Sequence, residues 1–254
     1  MFLAVDIGNT SIAFAVMRGH RILVRYEVPT AQQQRKLLAQ LKSVCRKIRH
    51  RFPSLDQTVI CSVVPTALIQ LKKAVAAELK IAVCIVGRDI KVPIVNRYRN
   101  PNQVGQDRLV CAYAAQRLYG RPLIIIDLGT AITVDVVSVG GEYLGGIIVP
   151  GIRLSADTLF QKAALLPLVR IQPAGALIGR DTKESILSGL FHGYGAMLKG
   201  LIAQIKSEIK GTPKVIVTGG YTEIMKRFIS GSINAVDTDL VFKGIAYSAE
   251  IFSQ

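Results

Sequence analysis

The sequence lacks several features that would assign it at once to a familiar class. Its four cysteines, Cys45, Cys61, Cys84 and Cys111, are scattered, with no C-x-x-C pair and no histidine at zinc spacing. We therefore expect reduced, buried thiols in a cytoplasmic protein. No apolar run approaches the roughly 18 residues of a membrane span. The chain opens on a strand-like run with no cationic leader, so we expect neither membrane insertion nor a secretion signal.

Acidic residues are few: 17 Asp and Glu stand against 32 Lys and Arg, which gives a formal net charge of +15. Much of the excess lies between Arg35 and Arg51, where basic residues flank an apolar stripe that includes Leu37, Leu41 and Ile48. This pattern predicts an amphipathic helix with a basic solvent face. Binding of nucleic acid or a membrane surface is one interpretation, but no aromatic ladder or nucleic-acid motif accompanies the helix. We therefore favour a solvated face.

The most informative stretch that is present is Asp6-Ile7-Gly8-Asn9-Thr10, between the apolar runs 2–5 and 12–16. It predicts a strand, a tight polar turn and a second strand. Gly8 allows the backbone to approach a ligand closely, and Thr10 adds a hydroxyl. Asp6 supplies a carboxylate for a cation or a metal-bound water. These groups suit a nucleotide triphosphate and its counter-ion, although an ordinary hairpin turn has the same pattern.

A second copy of this pattern favours the functional interpretation. Asp127-Leu128-Gly129-Thr130 follows the apolar run 123–126 and leads into the strand-like run 132–137. In both copies the next turn contains glycine at the same spacing from the aspartate, at Gly19 and at Gly140. The chain is therefore predicted to contain two related halves, each opening with a β-meander. Two such turns could grip the two sides of one phosphate chain.

The remaining pattern of the first half predicts a β-α-β unit, with parallel strands over 57–64 and 81–86 and a helix over 66–80 between them. A long loop follows over 88–103, of the kind that is often functional. A helix is predicted from about Gly105 to Tyr119. No linker-like segment divides the halves, and we place the boundary near Gly120, which gives halves 1–120 and 121–254.

Gly105-Gln106-Asp107-Arg108 lies at the predicted start of that helix, where free N–H groups and the helix dipole favour an anion. Asp107 could accept a hydroxyl proton, and Arg108 could bind a carboxylate. The alternative interpretation is that Asp107 only complements the helix dipole and that Arg108 is a surface charge.

In the second half, the paired glycines of Gly145-Gly146 indicate close backbone approach or a bulge. Asp181 to Glu184 fits a capping box at the start of a long apolar helix, in which Thr182 could be no more than the first helical residue. Glycines at 189, 193, 195 and 200 predict tight packing of that helix, within the fold or across a dimer interface. Thr218-Gly219-Gly220 predicts a strand-to-helix turn that suits a nucleotide or a simple connection.

Taken together, the ordered motifs resemble type III pantothenate kinase, of the superfamily shared by acetate and sugar kinases, actin and the Hsp70 ATPase domain. They are DIGNT at 6–10, GQDR at 105–108, DLGTAIT at 127–133, GGIIVPG at 145–151 and TGG at 218–220. The resemblance covers nearly the whole chain. It implies an α/β fold of two duplicated ribonuclease H-like, actin-like halves, each a mixed sheet flanked by helices, with the nucleotide in the cleft between them.

The resemblance also implies roles for particular residues. ATP would be bound by Asp6, Ile7, Gly8, Asn9, Thr10, Ser11, Ile12, Ala13 and Thr130. Pantothenate would be contacted by Tyr98, Gly105, Gln106, Asp107, Arg108 and Thr182, the last at the interface of a homodimer, and Asp107 would be the catalytic base. Asp127 would hold a monovalent cation, K⁺ or NH₄⁺, and Asp6 is the candidate partner of Mg²⁺.

Two departures from the family pattern are visible. Asp181-Thr182 stands where an Asn-Thr pair is usual, which changes little because Asp and Asn both cap helices. Tyr221-Thr222 follows the TGG motif where an acidic residue is common, so the resemblance says less about how the far end of the nucleotide is held.

The function implied is ATP-dependent phosphorylation of pantothenate to 4′-phosphopantothenate, the first step of coenzyme A biosynthesis. Two alternatives remain at this point. One is a catalytically weak accessory factor linked to transcription, which the charge of +15 keeps open. The other is a different small-molecule kinase on the same fold, because a fold does not fix its substrate.

Overall fold

The computed structural model describes residues 1–252, with side chains to residue 250. The chain folds into two compact units. Unit 1 comprises 1–94, 99–114 and the chain from Asp239, and unit 2 comprises 95–98 and 115–238. The predicted halves 1–120 and 121–254 are the two copies of the sequence repeat. This boundary stays a prediction, because the compact units are defined by contacts and not by the repeat. The units differ from the halves mainly in that the last helix packs with unit 1.

Unit 1 is a five-stranded sheet in the order β3-β2-β1-β4-β5, with β1 antiparallel to β2 and parallel to β4. Its strands are β1 (Phe2–Ile7), β2 (Ser11–Arg18), β3 (Arg21–Pro29), β4 (Gln57–Ser62) and β5 (Ala82–Ile85). Its helices are α1 (Gln34–Arg51), α2 (Pro65–Glu78), the first part of α3 (Gln106–Tyr119) and α8 (Leu240–Phe252).

Both faces of the unit 1 sheet are covered. Leu41 and Ile48 of α1 are fully buried in the cluster on one face, as the predicted apolar stripe requires. Each such side chain contributes about 1.5–3 kcal/mol to folding. Phe242 and Ile245 of α8 belong to the cluster on the other face, with Val110 of α3. The predicted basic solvent face is present: Lys42 is partly buried, and the other Lys and Arg residues of α1 are exposed.

Unit 2 repeats this sheet as β10-β9-β6-β7-β8. Its strands are β6 (Leu123–Leu128), β7 (Ala131–Val137), β8 (Tyr143–Pro150), β9 (Lys214–Thr218) and β10 (Ala235–Val236). Its helices are α4 (Ile152–Lys162), α5 (Thr182–Ser188), α6 (Tyr194–Glu208) and α7 (Thr222–Met225). The two-residue strand β10 was not predicted, because it is too short to show an alternating pattern.

The duplication extends to local detail. In unit 1 the β2–β3 register shifts between Val16 and Met17, and in unit 2 the β7–β8 register shifts between Val136 and Val137. The first turn differs between the units. The last pair is Ile7–Ile12 in unit 1 and Leu128–Ile132 in unit 2, so the turn of unit 1 is one residue longer. The predicted pair of β-meanders is confirmed, and the sheets share one strand order.

The long apolar helix predicted from residue 182 is interrupted. A π-helical turn, Gly189–Gly193, joins α5 to α6. Among the described residues, the run Thr182–Glu208 is the one helix that is long and apolar enough to span a membrane by length and composition, although no continuous apolar run of that length was expected. Phe191 and Leu198 of this run lie in the core of unit 2. Core helices commonly have this composition, so the run is weak support for a membrane span.

Candidate active site

The Asp6 turn follows directly from the end of β1. The Gly8 N–H donates to the Ser11 carbonyl (3.0 Å), which closes the turn and leaves Asn9 and Thr10 exposed. Thr30, the residue after β3, holds the turn: its hydroxyl donates to the Gly8 carbonyl (2.8 Å), and its N–H donates to the Thr10 carbonyl (2.9 Å). Thr30 was missed by the sequence reasoning, because no local pattern relates it to the turn.

The structure limits how the predicted ATP-binding residues of this turn can act. The side chains of Ile7 and Ile12 are fully buried in the core of unit 1, so these residues can offer a ligand only backbone atoms. The Ile7 carbonyl already accepts from the Val63 N–H (3.1 Å). Asp6 is partly buried, whereas Asn9 and Thr10 are exposed. The polar groups that remain for a phosphate are therefore concentrated at the tip of the turn.

Asp107 lies in the first turn of α3, as predicted. Its Oδ1 accepts from the N–H of Arg108 (2.9 Å). A Cβ built on Gly105 would overlap that same oxygen and would lie 3.6 Å from Val63, just beyond the end of β4. The glycine therefore lets the Asp107 carboxylate lie against the backbone at the carboxyl ends of the parallel strands, where ligands of α/β sheets bind.

Besides burial, the negative charges of Asp6 and Asp107 both raise the pKa of Cys61, so the two carboxylates lie in the same part of unit 1. Cys61 is the register partner of Asp6 across β1 and β4 and is fully buried. Burial, followed by the negative charges of Asp6 and Asp107, raises the pKa of the Cys61 thiol well above its usual range. The predicted partner of Mg²⁺ and the predicted catalytic base thus lie within electrostatic reach of one buried residue.

Gln106 packs on a second glycine that the sequence reasoning did not select. Gly87 has φ +86°, and a Cβ at this position would come within 2.6 Å of the Gln106 side chain. Glycine meets both requirements, since it adopts positive φ freely and has no Cβ. Gly87 therefore leaves the space that the side chain of Gln106, the residue before Asp107, occupies.

The Asp127 turn of unit 2 is enclosed by glycines from two other motifs. Gly151, the residue before α4, donates its N–H to the Thr130 carbonyl (3.0 Å) and leaves no room for a side chain. Gly219 has φ +95° and lies against the Asp127 carboxylate and the Leu128 backbone. The structure thus brings DLGT, the end of GGIIVPG and TGG together around one carboxylate, and Thr130 is exposed beside it.

Tyr98 belongs to unit 2, whereas Gly105 to Arg108 belong to unit 1. The predicted pantothenate residues are therefore divided between the two units. Tyr98 is partly buried, and its ring lies against Gly145. Thr182 is the exposed first residue of α5 in unit 2, where the predicted cap is present, because Asp181 accepts from the Glu184 N–H (2.8 Å).

No group of three or more His, Cys, Asp or Glu side chains in the part of the chain that the structure describes is arranged to hold a metal ion. Mg²⁺ commonly binds through one or two carboxylates and completes its coordination with substrate phosphates and water. Asp6 at the end of β1 fits such a role, because it lies beside an exposed polar turn.

Comparison with known proteins gives one consistent family. A family model described as type III pantothenate kinase matches residues 2–204. A protein of that name from Persephonella marina is 39% identical over 229 residues, covering 89% of this chain and 90% of its own length. Another of that name, from Moorella thermoacetica, is 34% identical over 250 residues, covering 96% of this chain and 97% of its own length.

A solved structure agrees on the fold. The inorganic polyphosphate/ATP-glucomannokinase from Arthrobacter sp. strain KM matches with a TM-score of 0.53 and 15% identity, covering 99% of this chain and 98% of that one. At this identity the similarity shows the fold alone. The predicted α/β fold of two duplicated, actin-like halves is confirmed, with a five-stranded mixed sheet in each unit.

Proposed function

This chain belongs to the type III pantothenate kinase family, and from that premise we propose that it transfers the γ-phosphoryl group of ATP to the primary hydroxyl of pantothenate. The reaction gives 4′-phosphopantothenate and ADP and is the first step of coenzyme A biosynthesis. The observation that carries the proposal is the family match over residues 2–204, which contains both aspartate turns and the GQDR motif.

Asp107 is the proposed general base. Its carboxylate lies at the carboxyl end of the unit 1 sheet, and its charge reaches Cys61 together with that of Asp6. A carboxylate is far too weak to ionise an alcohol beforehand. It can orient the hydroxyl and accept the proton late, as the bond to phosphorus forms, which suits the loose transition state of phosphoryl transfer. Catalysis then depends mainly on alignment and on neutralisation of charge.

ATP binding is proposed for the two aspartate turns. Gly8 and Gly129 let phosphate oxygens approach the backbone, and Asn9, Thr10, Ser11 and Thr130 offer polar side chains beside them. Bound Mg²⁺ would neutralise phosphate charge, with Asp6 as its protein partner. Asp127 is the proposed ligand of a monovalent cation, K⁺ or NH₄⁺. Gly219 and Gly151 pack against this turn too closely for a side chain, so their backbone holds the turn that carries Asp127 in place.

Tyr98, Gly105, Gln106, Arg108 and Thr182 are the proposed pantothenate contacts. Arg108 is suited to the pantothenate carboxylate, because a guanidinium can donate two parallel hydrogen bonds to it. Tyr98 and Thr182 offer hydroxyls to the polar groups of the substrate. These assignments come from the match of motifs, and the structure supports them by placing Gly105 and Gly145 where they leave room for Asp107 and Tyr98.

We also propose a homodimer with Thr182 near its interface. The helix that begins at Thr182 has exposed glycines at 189, 193 and 200, and a Cβ at each would meet no atom within 4 Å. Small residues along one exposed helix face permit close approach of a second helix. A cytoplasmic location is proposed as well. It is consistent with four free cysteines, of which Cys45, Cys61 and Cys111 are buried.

A coupled assay of ADP release tests the function. We expect ADP to form only when ATP and pantothenate are both present, and faster in potassium than in sodium buffer. A panel of other small alcohols in place of pantothenate separates this assignment from that of another small-molecule kinase. Turnover with a different alcohol but not with pantothenate would reject the substrate, and no turnover with any alcohol would reject the enzyme.

A further inference from the structure

The segment Val95–Tyr98 is bound to the edge of the unit 2 sheet by its backbone. The Tyr143 N–H donates to the Val95 carbonyl (2.8 Å), and the Arg97 N–H donates to the Tyr143 carbonyl (2.9 Å). A parallel bridge also joins Asn96 to Tyr143. The Arg97 side chain adds an ion pair to Glu142, with its Nε 2.7 Å from the carboxylate. The residues before Tyr98 are therefore fixed to β8 by backbone hydrogen bonds.

The ring of Tyr98 rests on a glycine. A Cβ built on Gly145 would lie 3.3 Å from two carbons of the Tyr98 ring, Cδ2 and Cε2, which is tighter than an ordinary contact. Gly145 is buried, and its φ is +120°, a region that other residues rarely adopt. Any other residue at this position would strain the backbone and push the ring by a few tenths of an ångström. The location of Tyr98 thus depends on the absence of a side chain at residue 145.

Tyr143 is anchored in turn by a buried carboxylate. Its side chain is fully buried, and its hydroxyl donates to Oδ1 of Asp135 (2.6 Å). The Thr133 hydroxyl donates to Oδ2 of the same aspartate (3.1 Å), and Asp135 is 2% exposed. Hydrogen bonds to an ionised acceptor are stronger than neutral ones. The Asp135–Tyr143 pair therefore fixes the strand that carries both the bridge to Asn96 and Gly145.

We propose that Gly145 is a positioning residue for pantothenate, which acts by holding the Tyr98 ring, and that the Tyr143–Asp135 pair anchors this arrangement. The inference rests on the proposed function, in which Tyr98 contacts pantothenate. None of these residues contacts ATP in that proposal. A change at Gly145 should therefore weaken the binding of pantothenate while the handling of ATP stays the same.

The test compares Gly145→Ala, Tyr98→Ala and the double variant in steady-state assays, with folding checked by circular dichroism. We expect each single change to raise KM for pantothenate about 10-fold, of the order of one lost hydrogen bond, with KM for ATP unchanged. The double variant should be no worse than Tyr98→Ala, because Gly145 acts through that ring. Gly231→Ala is the matched control: φ is +79°, and no atom lies within 4 Å of its Cβ position.

The outcomes separate this inference from the proposed function. If Tyr98→Ala leaves KM for pantothenate unchanged, the assignment of Tyr98 is wrong, and Gly145 loses its proposed role with it. If Tyr98→Ala raises KM but Gly145→Ala does not, or if the two effects add, Tyr98 keeps its role and the inference is overturned. A Gly231→Ala effect of equal size would also overturn it, because strain alone would then be the cause.

Tyr143→Phe provides a second route, which also serves if Gly145→Ala does not fold. Removing the hydroxyl breaks the bond to Asp135, so we expect KM for pantothenate to rise and the Arg97 amide to exchange hydrogen faster. Both changes together support the anchor. Normal exchange at Arg97 with a normal KM overturns it.

Discussion

Gly219 lies directly against Asp127, so that a Cβ at residue 219 would overlap the aspartate carboxylate and come within 2.6 Å of the Leu128 N. The backbone of Gly219 has φ +95°, which a residue with a side chain rarely adopts. The TGG motif, which lies outside the stretch matched by the family model, is thus structurally part of the Asp127 turn. The TGG motif can pack against the Asp127 turn only because residue 219 has no side chain.

Gly219→Ala adds only one methyl group, but this group should disturb the Asp127 turn. We expect the free energy of unfolding to fall by about 1–3 kcal/mol, because the added methyl strains the backbone, and KM for ATP to rise. Urea denaturation and steady-state kinetics measure the two effects. Gly220→Ala is the matched control, since φ is ordinary there and no atom lies within 4 Å of its Cβ position. Equal effects at the two glycines would contradict this explanation.

Asp107→Asn should remove the proposed base and keep the shape of the site. General-base catalysis contributes about 10²–10⁴ in rate, so kcat should fall by that factor, while a fluorescent ATP analogue binds as before. Asp56→Asn, at a side chain that is 71% exposed, serves as a control for the loss of one negative charge. Near-normal turnover in Asp107→Asn would rule out this residue as the base.

Asp127→Asn should reduce the response to potassium. In the unchanged protein we expect activity to rise with potassium or ammonium at constant ionic strength and to stay low in sodium. Replacing the carboxylate by an amide removes the charge that attracts the cation, so the concentration of potassium for half-maximal activity should increase. The measurement is a potassium titration of ADP release. Equal activity of the unchanged protein in sodium and potassium would reject the cation site.

The phenol of Tyr119 links stability to alkaline pH. Burial, the hydrogen bond to Asp237 (3.0 Å) and the charge of Asp237 raise the pKa of Tyr119 from 10.0 to about 12. The folded state therefore holds this proton more tightly than the unfolded state does. The resulting stabilisation is fully present below pH 10.0 and is lost as the pH rises through about 12.

Tyr119→Phe should accordingly be less stable than the unchanged protein at pH 8 by about 1.5–3 kcal/mol, the contribution of a hydrogen bond to a charged group. The difference should shrink as the pH rises from 10.0 to about 12. Urea denaturation at a series of pH values gives this difference directly. A difference that stays constant across that range would show that the phenol proton is not involved.

The sequence predicted the two meanders and most helices because their signals are local. Apolar runs around Asp6 and Asp127 identify the strands, and the stripe of Leu37, Leu41 and Ile48 identifies α1. The contacts of Thr30 with the Asp6 turn, and of Gly145 with Tyr98, join residues that are distant in sequence. No periodic pattern records such contacts: the sequence marked Gly145 as a point of close approach or a bulge without showing that its partner is Tyr98, and Thr30 emerged only from the structure.

Two features of the fold were also beyond local reasoning. The π-helical turn at Gly189–Gly193 lies within a long apolar stretch that predicts one helix, and the glycines that bound it do not distinguish a π turn from a regular one. α8 belongs to unit 1 because it packs on the apolar face of the unit 1 sheet that carries Ala4 and Val59. Hydrophobicity alone predicts that α8 is buried, but it does not say against which sheet.

Because α8 completes unit 1, the order of synthesis matters for folding. Phe242, Ile245 and Ala249 pack on the sheet face that carries Ala4 and Val59. These two sheet residues leave the ribosome far earlier than α8 does. During translation Val110 of α3 can cover part of that face, but the part that α8 covers stays open until residue 249 has emerged. Unit 1 can therefore complete its core only after the chain up to residue 249 has been synthesised.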